Sequence, residues 1–141
     1  RDPRMISHSE LLSHGLPASV QVFANGLAKE LGLDPYFWIR TWERPCRAWY
    51  RPAERFVIVC MIHRLQCRYL WQRTDVARVF GIARQTTLGA HYRRAEALFT
   101  LYPDLGHAVR RLDGERAAAF ILEQWDEPIR MVLGKSIREA G

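Results

Sequence analysis

Three groups of residues have types and spacings that could carry chemistry. The first is Arg84-Gln85-Thr86-Thr87, four donors and acceptors in a row with Arg93 and Arg94 two to three helical turns further on. Arg suits guanine edges and phosphate, Gln suits adenine, and Thr suits the thymine methyl or a phosphate. The second is Cys60, His63 and Cys67, whose spacings of three and four would put them on one helix face, where they could bind zinc. Their neighbours are apolar, and two thiols within a buried helix read as packing, so no metal is assigned. The third is Cys46 beside Arg47, a candidate reactive thiol with no identifiable base near it. Gly134-Lys135-Ser136 looks like the end of a phosphate-binding loop, but that motif needs a glycine at position 129, where Ile129 stands. No catalytic residue and no cofactor follow, and the reading is non-enzymatic.

The charge distribution favours the first group. The chain has 141 residues and a formal net charge of +6. Residues 40–94 hold 12 basic groups, all Arg, against 3 acidic ones, while both flanks are slightly acidic. A net +9 in 55 residues points to a polyanion partner, nucleic acid above all. The alternative is a merely solvated basic surface. No apolar run approaches the roughly 18–20 residues that span a bilayer, the longest being Phe56–Ile62, so no membrane partner is expected. Three cysteines and no apolar signal-peptide core fit a cytoplasmic setting.

The elements that must position these residues read as helices. Arg1–Arg4 resembles an expression scar ahead of a native Met5, and residues 1–17 form an irregular arm. Val20, Val22, Phe23, Leu27 and Leu31 recur at helical spacing until Gly32. Asp34 as cap and Pro35 in the first turn predict a short helix over 35–40, followed by an Arg- and Trp-rich loop over 43–50. The β-branched run Phe56–Ile62 suits a buried strand by composition. With Pro52 at a first turn and no turn signal through Leu65, its length of about 15 residues predicts a buried helix instead. Trp38, Trp42, Trp49 and Tyr50 either stack on bases or, as preferred here, pack the short N-terminal helix on this one.

Thr74 as cap opens a helix over 75–80, with Asp75 beside its positive end, and Gly81 closes it. A longer helix runs from Arg84 to about Tyr102, with Leu88, Tyr92, Ala95, Leu98 and Phe99 on one face. Pro103 ends it. Two more helices are predicted, over 105–112 and over 115–139, the latter broken at Pro128. The expected fold is all-α, and its centre is a helix-turn-helix with Arg84–Thr87 as the outward first turn of the second helix.

Those residues resemble the C-terminal DNA-binding domain of the bacterial replication initiator DnaA, whose relatives occur in transposases and stand-alone regulators. The resemblance covers Val20 to Phe99. It rests on Leu31-Gly-Leu-Asp34, on Arg55 ahead of the buried helix, on Asp75-Val-Ala-Arg-Val-Phe-Gly81, on Arg84-Gln-Thr-Thr-Leu88 and on Arg93-Arg94. In the family the second helix opens with Asp-His-Ser/Thr-Thr; here Arg84 and Gln85 stand in the first two places, and only the threonines agree. The resemblance implies a DnaA C-terminal or Trp-repressor-like helix-turn-helix over 18–102 with a C-terminal helical extension over 103–141. It also implies an arginine in the minor groove, Arg55, with Arg51 one turn earlier sharing the role.

The expected function is therefore sequence-specific binding of double-stranded DNA, as a bacterial transcription regulator. Arg84, Gln85, Thr86 and Thr87 would read the major groove, Arg73, Thr74, Arg93 and Arg94 would hold phosphates, and His91 is a further phosphate candidate. The extension's apolar residues, Val109, Leu112, Phe120, Ile121, Trp125, Ile129 and Val132, either close the core or form a homodimer interface through 105–139. The rival reading is an interaction module whose helix-turn-helix has lost DNA binding and whose Arg face docks an acidic protein. A third is a DNA-binding piece of a transposase or replication protein; without an ATPase loop the chain cannot initiate replication unaided.

Overall fold

The computed structural model describes residues 15–38, 51–80 and 85–130. All regular structure among them is helical, in the order α1 (Ala18–Glu30), α2 (Pro52–Tyr69), α3 (Arg73–Phe80), α4 (Gln85–Leu101), α5 (Pro103–Arg111) and α6 (Ala117–Gln124). The protein is all-α.

α2 is the axis of the fold. Pro52 occupies its first turn, and the Glu54 carboxylate accepts the Arg51 backbone N–H at 2.9 Å, satisfying a helix-start donor. Phe56 through Ile62 are all buried, which is possible only for a helix covered on every side. α1, α4 and α5 supply that cover. The length argument for a helix over the β-branched run thus holds: packing decides where propensity is weak.

α1 ends as its sequence predicts. Gly32 takes φ +72°, the Gly32 N–H donates to Lys29 O at 3.1 Å, and the Leu33 N–H donates to Ala28 O at 2.8 Å. This pair of bonds is a Schellman motif, which requires a left-handed residue at Gly32.

The segment after α1 departs from expectation. Residues 35–38 form a turn and a single 3₁₀ step rather than the start of an α-helix. Asn25 on α1 accepts the Tyr36 N–H at 3.0 Å while Tyr36 sits at φ 59°, so a side chain of α1 fixes a conformation that a helix cannot contain. The turn delivers Phe37 and Trp38 into the core, both fully buried. Trp38 is therefore a packing residue; Trp42, Trp49 and Tyr50 lie outside the described residues.

The start of α3 also differs. The Asp75 and Val76 N–H groups both donate to Gln72 O, which makes Gln72 the cap, and the Asp75 carboxylate accepts the Gln72 N–H at 2.9 Å. Asp75 thus makes the back-reaching half of a capping box, and Thr74, the expected cap, is exposed within the first turn. Gly81, expected to close α3, lies outside the described residues.

Of the predicted face of α4, Tyr92, Ala95, Leu98 and Phe99 are buried, and the side chain of Leu88 lies outside the described residues. Tyr102 leaves the helical region at φ −127°, ψ 76°, as the residue before a proline must, and Pro103 both ends α4 and opens α5. Gly106 lets α5 fold back closely, since a Cβ there would lie 3.2 Å from Phe99 Cβ.

The extension belongs to the same core as the rest of the chain. Leu105, Val109, Ala118, Ile121 and Ile129 join one cluster with Val20, Leu27 and Ile58, and α6 packs on α1. Leu112 and Trp125 pack at its edge, while Phe120 is half exposed. The last described helix breaks at Trp125 rather than at Pro128, and 126–130 are again helical. A proline ring clashes with the carbonyl four residues earlier, here Gln124, so the break falls upstream of the proline.

Candidate nucleic-acid interface

The arginines of the basic block divide by what holds them. Arg64 is fully buried in α2. Its Nη1 donates to Val109 O at 3.2 Å and Leu112 O at 2.9 Å, its Nη2 meets Asp113, and its guanidinium lies 4.6 Å from the Phe23 ring centroid. It satisfies carbonyls at the C-terminal end of α5, where a cation also complements the helix dipole. Burial lowers its pKa, and Asp113 opposes that shift. Arg68 closes the far side of Asp113 at 2.9 Å, and that hydrogen bond is the main reason the Asp113 carboxyl is held below its usual range. Arg78 pairs with Asp75 at 3.7 Å. Arg64 and Arg68 are therefore structural, a role that composition alone does not reveal, while Arg78 is an exposed neighbour of Asp75.

The others stand differently. Among the described residues, no carboxylate pairs with Arg51, Arg55, Arg73 or Arg93. Arg51 is exposed at the N-cap of α2 and Arg73 at the first residue of α3, and Arg55 lies one turn into α2. A cation at a helix N-terminus is unfavourable against the dipole, whereas an anion there is favoured.

Two consecutive residues of α4 gather these groups. Tyr92 lies beneath Arg73, whose guanidinium carbon is 4.4 Å from the ring centroid. Burial pushes the Tyr92 hydroxyl up to about 12, so it remains a phenol at neutral pH. His91 is only 3% exposed, and burial, then the charges of Arg94 and Arg55, push its pKa down to about 4. A histidine so buried does not reach a phosphate in solvent, so His91 is not a phosphate contact, contrary to the sequence expectation. The charges of Arg55 on α2 and Arg94 on α4 both act on it, where α4 packs on α2. Arg94 is half buried, and Arg93 is exposed, its Nη1 3.3 Å from where a Cβ on Gly89 would lie.

Gln85, Thr86 and Thr87 form the first turn of α4, as expected; their side chains, like all of Arg84, lie outside the described residues. Thr74 is exposed beside Arg73. The cysteines separate: Cys60 is fully buried, and burial raises its thiol well above the usual range, whereas Cys67 is exposed. No group of three or more metal-binding side chains occurs among the described residues. His63 lies between α2 and α5, its Nε2–H donating to Gly106 O at 3.2 Å and its Nδ1 3.6 Å from Cys67 Sγ. Burial lowers its pKa to about 4, partly offset by the Gly106 bond, and Arg110 and His107 lower it further. Cys46 and Gly134-Lys135-Ser136 lie outside the described residues.

Sequence reasoning missed Tyr92 as the platform for Arg73 and Arg64 as an internal clamp. Tyr92 was legible as a core position, but not as the one beneath a cation. No described helix is long and apolar enough to cross a membrane. No family model, curated protein or solved structure matches the chain.

Proposed function

We propose that this protein binds double-stranded DNA in a sequence-specific manner, as a cytoplasmic transcription regulator of the DnaA-like helix-turn-helix type. The observation that carries the reading is the convergence on His91 and Tyr92: Arg55, Arg73 and Arg94 come from three helices to one region, with Arg93 and Arg51 exposed in the same elements. Phosphate is the anion that suits such an array, because guanidinium forks donate to two of its oxygens at once. The consecutive helices α3 and α4, with Val76, Val79 and Phe80 buried, support the helix-turn-helix assignment.

In this reading Arg84, Gln85, Thr86 and Thr87 read the major groove from the first turn of α4. Arg55, aided by Arg51, enters the minor groove, and Arg73, Thr74, Arg93 and Arg94 hold phosphates. For a homodimer through 105–139, Val109, Ile121 and Ile129 are already committed to the core, while Phe120 is half exposed and free to contribute.

Selection from a pool of random duplexes tests the assignment. The expected result is one enriched motif, relaxed at a single base position by Gln85→Ala at a cost of roughly 1–3 kcal/mol. No enrichment, with acidic protein bound instead, would favour an interaction module.

A further inference from the structure

Away from the DNA-facing arginines, the C-terminal ends of α2 and α5 enclose an open pocket of about 230 Å³, lined by Cys67, Arg68, Arg110 and Arg111. Cys67 is exposed there, and its S–H is within reach of His63 Nδ1 at 3.6 Å. The Gly106 carbonyl can only accept, so it holds the His63 proton on Nε2 and leaves Nδ1 as the acceptor facing the thiol. His63 thus orients the thiol without being basic enough to deprotonate it, and the thiolate forms by losing its proton to water.

The charges around it select an anion. Arg64 and Arg68 share the single carboxylate Asp113, whereas no carboxylate among the described residues pairs with Arg110 or Arg111. Arg110 donates from Nη2 to His107, and its Nε–H, shielded from solvent, has no hydrogen-bond partner among the described residues. The pocket thus combines a reachable sulfur with unneutralised donors.

We propose that Cys67 is a thiol–disulfide exchange site for small disulfides bearing carboxylates, which Arg110 and Arg111 draw into the pocket. The Cys67 thiolate attacks one sulfur of the incoming disulfide, a new protein–ligand S–S bond forms, and the original S–S bond breaks. The departing half leaves as a thiolate with the electron pair. Cys67 is oxidised as that sulfur is reduced, and the proton of the original S–H passes to water.

The test uses the full chain carrying Cys46→Ser, so that Cys60 and Cys67 remain. Exchange rates are measured under native conditions with 5,5′-dithiobis(2-nitrobenzoate), a dianion, and with neutral 4,4′-dithiodipyridine, and the adduct is located by peptide mass spectrometry. Cys67 should carry the adduct. Its anionic-to-neutral rate ratio should exceed that of a free thiol peptide by about tenfold, the low end of electrostatic steering. Arg110→Gln with Arg111→Gln should return the ratio to the peptide value, and Arg111→Gln alone should lower it in a chain that keeps its fold. A ratio equal to that of the peptide, a ratio unmoved by either variant, or an adduct on Cys60 would overturn the proposal.

Discussion

Arg64 Nη1 donates to the backbone carbonyl of Leu112 at 2.9 Å, linking the middle of the central helix to a residue 48 positions later in the chain. The contact fastens α5 to α2 and makes the C-terminal third part of the core. Arg64→Met keeps the apolar stem but leaves the Val109 and Leu112 carbonyls without this donor and removes one arginine from Asp113. It should lower stability by roughly 2–4 kcal/mol in urea unfolding. Asp113→Asn, at a half-exposed position, should cost less than about 1 kcal/mol.

His91 makes stability fall as pH falls. Its folded pKa of about 4 lies below the unfolded value of 6.5, so between those limits the unfolded chain binds the extra proton. The contribution is complete above pH 6.5, declines as pH drops toward 4, and is constant below that. Its full size is at most about 3 kcal/mol. Denaturant unfolding of wild type and His91→Gln at pH 7, 5.5 and 4 should give two curves that approach each other on acidification. Parallel curves would show that His91 does not titrate in this way.

Much of this was legible from local patterns. Gly32 after an apolar run, Pro52 before one and Pro103 between two mark helix ends through their own backbone preferences. Tyr92, Ala95, Leu98 and Phe99 mark a buried face by spacing. Arg64 was not legible, because the carbonyls that make its burial tolerable come from Val109 and Leu112, far along the chain. A polar residue type on the expected reading helix suggests exposure for His91, yet it precedes Tyr92 and is buried with it. Thr74 has the preferred cap residue type, yet Gln72 is the cap and the carboxylate of Asp75 reaches its N–H.

Arg55 and Arg93 should behave differently on DNA. In the proposed DNA complex, an Arg55 inserted where the minor groove narrows would respond to groove width as well as charge. Arg55→Ala should therefore weaken binding more on a duplex with an A·T-rich flank than on a G·C-rich one. Arg93 lies on α4 roughly 9–10 Å beyond Thr87, at 1.5 Å rise per residue, which takes it from the groove toward the phosphates. Arg93→Ala should weaken both duplexes alike. Affinities on two duplexes differing only in the flanking step decide between these roles.

The most direct measurement is affinity for random duplex DNA across a salt series, comparing wild type with single Gln substitutions of Arg55, Arg73 and Arg93 and with Arg68→Gln. The wild-type affinity should fall steeply and linearly on logarithmic axes as salt rises. Each of the first three substitutions should flatten that slope by about one unit. Arg68→Gln, whose guanidinium is engaged by Asp113, should leave it unchanged. A folded wild-type protein that shows no binding at low salt, or a slope that none of the three substitutions alters, would contradict the assignment of this surface to DNA.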